Sequence, residues 1–453
     1  MKPFASKPIS AVVLCAAFAV FLASIAKLGA TQQPPQAPAG QIPPVPGTAP
    51  AAGADGRGGA QGARRGGGGA RGPAFVFGNG PWDAMAGGVK MHITVVTKGL
   101  DHPWGMAFLP DGSMLVTERA GRLRVIRNVA TNPVLDPTPI AGLPKIRAVS
   151  LNGLLDIAIH PRFSSNHYIY LVYAKPDEAE ATKSTLAVMR AKWDGKELSD
   201  VKDIFLAQPY YGGRGTPARC CGQGPLDASL GSRLAFDKSG YLYVTSGDRN
   251  YGEMAQDPSS DIGKILRIKD DGTIPRDNPF VGKEGYRPEI WTLGHRNPLG
   301  LTIHPQTGDL WETEFGPRGG DEVNRIQKGK NYGWILITNG AHYNGEPTKL
   351  GANSVPGYED PVLHWEPSIN PGNLLFYNGK KFPEWKGALL MASMTKSLLL
   401  AKFDSKGKPV SQERMLTMDI NQRLRDIRQG PDGLIYLATD EAAGAILKIE
   451  PGK

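Results

Sequence analysis

Three short segments set charged or amide side chains against glycine and proline. LGHRNPLGL (293–301) places His295, Arg296 and Asn297 side by side ahead of a proline turn. EFGPRGGDEVN (314–324) puts a Gly-Pro turn just before Asp321 and Glu322. Turn carbonyls plus carboxylates are the oxygen donors that a hard cation such as calcium takes. NQRLRDI (421–427) alternates Arg423 and Arg425, so an extended strand would send both guanidinium groups to one face. Such a pair clamps a polycarboxylate or a phosphate. Each segment also has a plainer reading: loop carbonyls satisfied by Arg-Asn, a solvated acidic turn, arginines paired with nearby acids. Their weight comes from occurring together.

A fourth segment, TPARCCGQGPLDASLGSRLAF (216–236), holds adjacent cysteines, Cys220 and Cys221, in a glycine-rich loop before a strand. In an exported chain they could close a strained vicinal disulfide or remain two thiols on an insertion.

The elements that must position these segments repeat. An apolar strand, a Pro/Asp/Gly turn and a second apolar strand recur six times. The copies begin at Gly105, Asp156, Arg233, Gly300, Leu374 and Arg425. The alternation and turn chemistry predict a β-hairpin each time, and no sustained helical period separates them. Hairpins at such spacing over one long all-β domain predict a six-bladed β-propeller, with a β-sandwich as the competing arrangement. Propeller loops converge around a central channel, so residues far apart in sequence can form one site.

The chain has 453 residues and a formal charge of +9. Residues 1–30 read as a secretory signal peptide: Lys2 and Lys7, an apolar run, then small residues near Ser24 and Ala26. A membrane tether follows only if this leader stays uncleaved. Residues 31–73 are almost wholly Pro, Ala, Gly, Gln and Arg, a composition that cannot bury a core and predicts a disordered tether. Residues 1–73 supply six of the nine net charges, so residues 74–453, the expected propeller, carry only +3. The basic balance is therefore no signature of nucleic-acid binding. A leader of this kind implies a periplasmic or secreted protein.

From about His102 to Pro451 the chain resembles the soluble quinoprotein glucose dehydrogenase and aldose sugar dehydrogenase family. The runs that carry the likeness include LDHPWGMAFLPDG, NGLLDIAIHPRF, GKILRIKDDGTIPRDNPF, EIWTLGHRNPLGL, EFGPRGGDEVNRIQKGKNYGW and QRLRDIRQGPDGLIYLATDE. The resemblance implies a six-bladed propeller that binds pyrroloquinoline quinone (PQQ) and Ca2+ and oxidises the C1 hydroxyl of aldoses to lactones. Electrons would pass to an external acceptor, since no CxxCH haem motif is present. It implies that Arg296 and Asn297 line the quinone and substrate. It gives the carbonyls of Gly316 and Pro317 to calcium, with Asp321 acting through water. Arg423 and Arg425 would clamp quinone carboxylates, and Trp365 would border the sugar.

Three positions depart from the family. Its general-base histidine falls at Ser229, whose hydroxyl has no useful basicity near neutral pH. Its glutamine ahead of GLLD is Leu151. Its quinone-contacting lysine aligns with Thr395, with Lys396 adjacent as a substitute. His102, His160, His295 and His364 fall in family-like runs and read as structural. Two further functions compete with the dehydrogenase: a non-catalytic propeller binding a sugar, quinone or protein, and a calcium-dependent hydrolase.

Overall fold

The computed structural model describes residues 78–212, 227–348, 350–416 and 419–453. The expected signal peptide, the tether and the Cys220–Cys221 pair lie outside these residues. Among the described residues, no helix is long and apolar enough to cross a membrane.

The strands form six sheets, each a blade of a β-propeller. Five blades are four-stranded antiparallel meanders. Blade 1 starts with Pro103–Phe108, blade 2 with Leu154–Ile159, blade 3 with Gly231–Phe236, blade 4 with Pro298–Ile303 and blade 5 with Pro371–Phe376. Each first strand packs beside the first strands of the two neighbouring blades, which closes a ring around the channel. The six expected hairpins are the two inner strands of the six blades. The β-sandwich alternative is excluded by this ring.

Blade 6 joins the two ends of the described chain. Leu424–Gln429, Ile435–Thr439 and Gly444–Pro451 are completed by Val89–Leu100 and Trp82–Ala86. The seam runs antiparallel, with Met91 opposite Pro451 and Val95 opposite Leu447. Ile93, Leu447 and Ile449 are buried there, so closing the ring also completes a core.

Ion pairs fill the centre. Arg233 has no exposed surface, and its Nη1 bridges Asp156 (3.0 Å) and Asp426 (3.1 Å). Arg428 pairs with the same two carboxylates. Both acids also accept main-chain N–H groups of neighbouring blades, Leu234 at Asp156 and Met106 at Asp426. With both charges matched and hydrogen-bonded, the plug ties four blades at one point, whereas deleting one partner would strand a buried charge. A cavity of about 400 Å³ opens at the mouth where the first strands end, lined by Met106, Ile157, Leu301 and Arg428.

Candidate functional site

The site occupies the opposite face, where the first strands begin. A brace repeats there in every blade. The residue just before the first strand accepts an N–H from the end of the second strand: His102 from Arg119, Leu230 from Gly247, Asn297 from Phe315, Asn370 from Met394 and Arg423 from Asp440. Gly153 accepts from Ala174 in blade 2. These bonds bring the termini of two strands per blade to one level. Residues separated by more than three hundred positions thereby share one face.

Blades 6 and 1 bring three guanidinium groups to one carboxylate. Asp440 accepts from Arg425 (2.7 Å) and Arg423 (3.1 Å), and Arg119 lies 3.8 Å from its other oxygen. Burial opposes ionisation of Asp440, but Arg425, Arg423 and Arg119 outweigh it and hold its carboxyl at about 2. Burial pushes Arg425 below its usual value, and its Nε is buried without a partner. Arg423 keeps 42% of its side chain exposed. Three cations against one anion leave a positive seat for an anionic ligand. Arg423 and Arg425 do reach one face, as expected from their alternation, and they also pair with a neighbouring acid, as the plainer reading held.

Blade 4 carries the Gly-Pro turn. Arg296 Nη1 donates to the carbonyls of Phe315 (3.1 Å) and Gly316 (2.8 Å), so these oxygens already face a cation. A Cβ at Gly316 would meet Gly319 O at 2.0 Å, which keeps the turn glycine. Asp321 is fully committed. One oxygen accepts Gly316 N (2.9 Å); the other accepts Ile369 N and Asn370 N (both 2.7 Å) and the Ser368 hydroxyl. It holds the turn from behind and presents no lone oxygen outward.

Behind the turn lies an acid cluster around His295. His295 Nδ1 is 3.2 Å from Glu314 and 3.8 Å from Glu312. The ligand atoms of these three residues all fall within 4.8 Å of one another. Asn324 Nδ2 donates to Glu312 (2.7 Å) and Glu322 (3.2 Å). Desolvation, then the neighbouring Glu314 charge, raises Glu322 to about 8 and drives Glu312 well above the usual carboxylate range. Glu312 Oε2 and Asn324 Oδ1 are buried without partners. Oxygen donors at this density suit a hard cation. His295 is walled in between Thr292 and the acids and stacked on Tyr332, so it is no free base.

Blade 3 holds the expected base position. Ser229 sits at φ +52°, and its hydroxyl donates to Asn250 Oδ1 (3.2 Å). Asn250 N donates to Asp248, whose second oxygen accepts Trp334 Nε1 (2.8 Å). Burial raises Asp248 to about 6, against the lowering pull of Arg296. Asn297 Oδ1 accepts Gly231 N (3.1 Å), which ties blades 3 and 4 at the site. Arg296 lies over the Trp334 ring (5.4 Å) and near Tyr343 (6.0 Å).

The remaining expected positions are scattered around the face. Lys396 follows the second strand of blade 5 and donates to Asn421 (2.9 Å). Thr395 bonds Ile369 O and Arg414. Leu151 is exposed, its N–H on Asp227 O (3.2 Å), two residues from Ser229. Trp365 lies on the outermost strand of blade 4, opposite Asp321, where its carbonyl accepts Gly320 N (2.8 Å) beside the Gly-Pro turn and its indole donates to Gln412 on the outermost strand of blade 5. Sequence reasoning missed Arg119, Asp440, Asp248, Tyr343 and the Glu312–Glu314 pair. Arg119 and Asp440 end the second strand of their hairpins, the place that already held Gly316 and Lys396, so hairpin alignment could have found them.

The Glucose / Sorbosone dehydrogenase family matches residues 100–448. Aldose sugar dehydrogenase YliI of Escherichia coli is 36% identical over 381 residues, covering 84% of this chain and 97% of that protein. Quinoprotein glucose dehydrogenase B of Acinetobacter calcoaceticus is 27% identical over 432 residues, covering 77% and 85%. The PQQ-bound form of aldose sugar dehydrogenase from Streptomyces coelicolor superposes with a TM-score of 0.61 at 26% identity, covering 80% of this chain and 98% of that one. The chain is therefore a member of the Glucose / Sorbosone dehydrogenase family.

Proposed function

We propose that this protein is a PQQ- and calcium-dependent aldose dehydrogenase that oxidises the C1 hydroxyl to a lactone and passes electrons to an external acceptor. The observation that carries the reading is the charge at the site: Arg119, Arg423 and Arg425 around the single Asp440. A polycarboxylated quinone fits that seat, because Arg425 Nε is a buried donor still lacking an acceptor. Calcium fits the Gly-Pro turn, where the Phe315 and Gly316 carbonyls accept the Arg296 guanidinium and Pro317 adds a further carbonyl, and the Glu312–Glu314–Glu322 cluster offers a second set of hard donors. When bound, the quinone supplies the two-electron acceptor. The chain's own work is to hold anions at Arg119, Arg423, Arg425 and Lys396. Arg296 and Asn297 then fix the substrate side, braced by Gly231 and Glu314.

Support from relatives is of the same kind: one is named a quinoprotein, another was seen with PQQ. Ser229 favours a second reading, a propeller that binds without turnover. One assay separates them. Protein loaded with PQQ and calcium is given an aldose panel and a reducible dye. Chelator-sensitive dye reduction establishes the dehydrogenase, whereas tight PQQ binding with no turnover on any sugar leaves the binder.

A further inference from the structure

The family's base position holds Ser229, but the face has another imidazole. His342 lies on the segment after Trp334, and blade 4 pins that segment: Arg318 and Ala341 exchange N–H···O bonds of 3.0 and 3.1 Å. The His342 ring meets Trp334 edge-on at 5.7 Å and 60°. That indole in turn carries Arg296 over its face and donates to Asp248. Tyr343 follows, within 6.0 Å of the Arg296 guanidinium. His342 therefore belongs to the shell around Arg296, and Trp334 links it through Asp248 and Asn250 to Ser229.

Its bonding sets it apart. The other buried histidines are fully occupied: His160 Nδ1 accepts Arg162 N (2.9 Å), and His295 is held by Thr292 and Glu314. His342 is 4% exposed, its Nδ1 is buried without a partner, and among the described residues its ring makes no hydrogen bond. A histidine kept for packing normally has both nitrogens satisfied. One left uncommitted beside the Arg296 guanidinium has its proton-accepting capacity unspent. Burial, then the nearby Arg296 charge, lowers His342 below the ordinary imidazole range, while Glu346 pulls the other way. The ring is therefore neutral at pH 7, the form that accepts a proton.

We propose that the His342 imidazole is the general base of this enzyme, standing in for the histidine that Ser229 replaces. The inference rests on the dehydrogenase reading. The C1 hydroxyl proton passes to the imidazole. A bound quinone would supply the acceptor for the C1 hydrogen and its electron pair as C1=O forms, and the imidazolium returns its proton to water.

The test uses the PQQ- and calcium-loaded protein and three variants: His342→Asn, His342→Asn with Ser229→His, and His102→Asn. His342→Asn should lower kcat by about 100-fold or more with little change in KM, and PQQ affinity by calorimetry should stay within threefold. Adding Ser229→His should restore at least part of kcat, which a misfolded protein could not do. Retention of kcat within threefold in His342→Asn, or collapse in His102→Asn alone, overturns the assignment. A second readout needs no turnover. The imidazole resonances of 15N-histidine-labelled, cofactor-free protein are followed by NMR as glucose is added. A sugar-dependent shift of the resonance lost in His342→Asn supports the placement; no shift there overturns it. If the loaded parent protein binds PQQ but never turns over, the dehydrogenase reading fails, and the NMR result alone decides whether His342 faces the sugar.

Discussion

Blade 6 and blade 4 solve the same structural problem with opposite charges. In each, a buried carboxylate stands where the second strand reaches the site face: Asp440 directly after Ile435–Thr439, and Glu314 as the last residue of Leu310–Glu314. Asp440 is surrounded by three arginines and ionises far below the usual range. Glu314 is surrounded by Glu312 and Glu322, which are driven far above it. One end of the face is short of anions and the other is short of cations. A ring of near-identical blades thus presents one dipolar surface, suited to a ligand that brings anions to one side and a cation to the other. Neither half is at its electrostatic optimum alone, and each should gain stability when its complement binds.

That contrast can be broken from either side. The largest effect should come from removing the cations. Arg423→Met with Arg425→Met should weaken PQQ binding by about 10²- to 10⁴-fold, at roughly 1.5–3 kcal/mol per charge-assisted bond. Isothermal titration would show it, and a loss below tenfold would place the anion elsewhere.

Removing the metal tests the other half. With calcium at about 1,000 times its dissociation constant, the linkage is worth about 4 kcal/mol. Chelation should therefore lower Tm by several degrees in scanning calorimetry. In Glu312→Gln with Glu314→Gln that chelator effect should shrink, and the metal-free protein should become more stable at neutral pH because a buried carboxyl no longer has to be held protonated. An unchanged chelator effect would locate the ion at the Gly316–Pro317 turn alone.

A smaller effect separates Asp440 from its ligand role. Its folded pKa of about 2 lies below its unfolded value near 3.8. Its contribution, on the order of 2–3 kcal/mol, is therefore present above pH 4 and lost as pH falls from 4 towards 2. Asp440→Asn should remove that acid-limb slope from denaturant-derived stability while bound PQQ partly compensates. The smallest change should follow Trp365→Phe, which should leave KM for aldoses within twofold, because the indole serves Gln412 at the blade margin. A tenfold rise in KM would return Trp365 to the sugar.

The architecture was legible because each blade writes its inner hairpin as two alternating apolar strands around a Pro/Asp/Gly turn. Outer strands were less legible; Val134–Leu135 is too short and Pro409–Met415 too polar to carry a pattern. The N-terminal strands Trp82–Ala86 and Val89–Leu100 precede the first hairpin, and nothing local says that they belong to the last blade. Of the site, Arg296, Asn297, Gly316, Arg423 and Arg425 stood out through unusual neighbours. Arg119 and Asp440 did not, because one charged residue at a strand end is ordinary until the ring brings three together. The carboxylate of Asp321 looked like a ligand, and its role as the anchor for Gly316, Ile369 and Asn370 appears only in three dimensions.

The seam in blade 6 has a consequence for biogenesis. The outer strand Val89–Leu100 is made early, but its partner Gly444–Pro451 is made after every other blade. Arg423, Arg425 and Asp440 reside in that same last blade. A nascent or truncated chain can therefore stack blades 1 to 5 while offering no anion seat. A chain cut short before Arg423 would lack Arg423, Arg425 and Asp440 as well as the strands that close the ring. Such pairing of distant segments is slow to form. Ring closure and the arginine-lined anion seat thus depend on the same last stretch of chain.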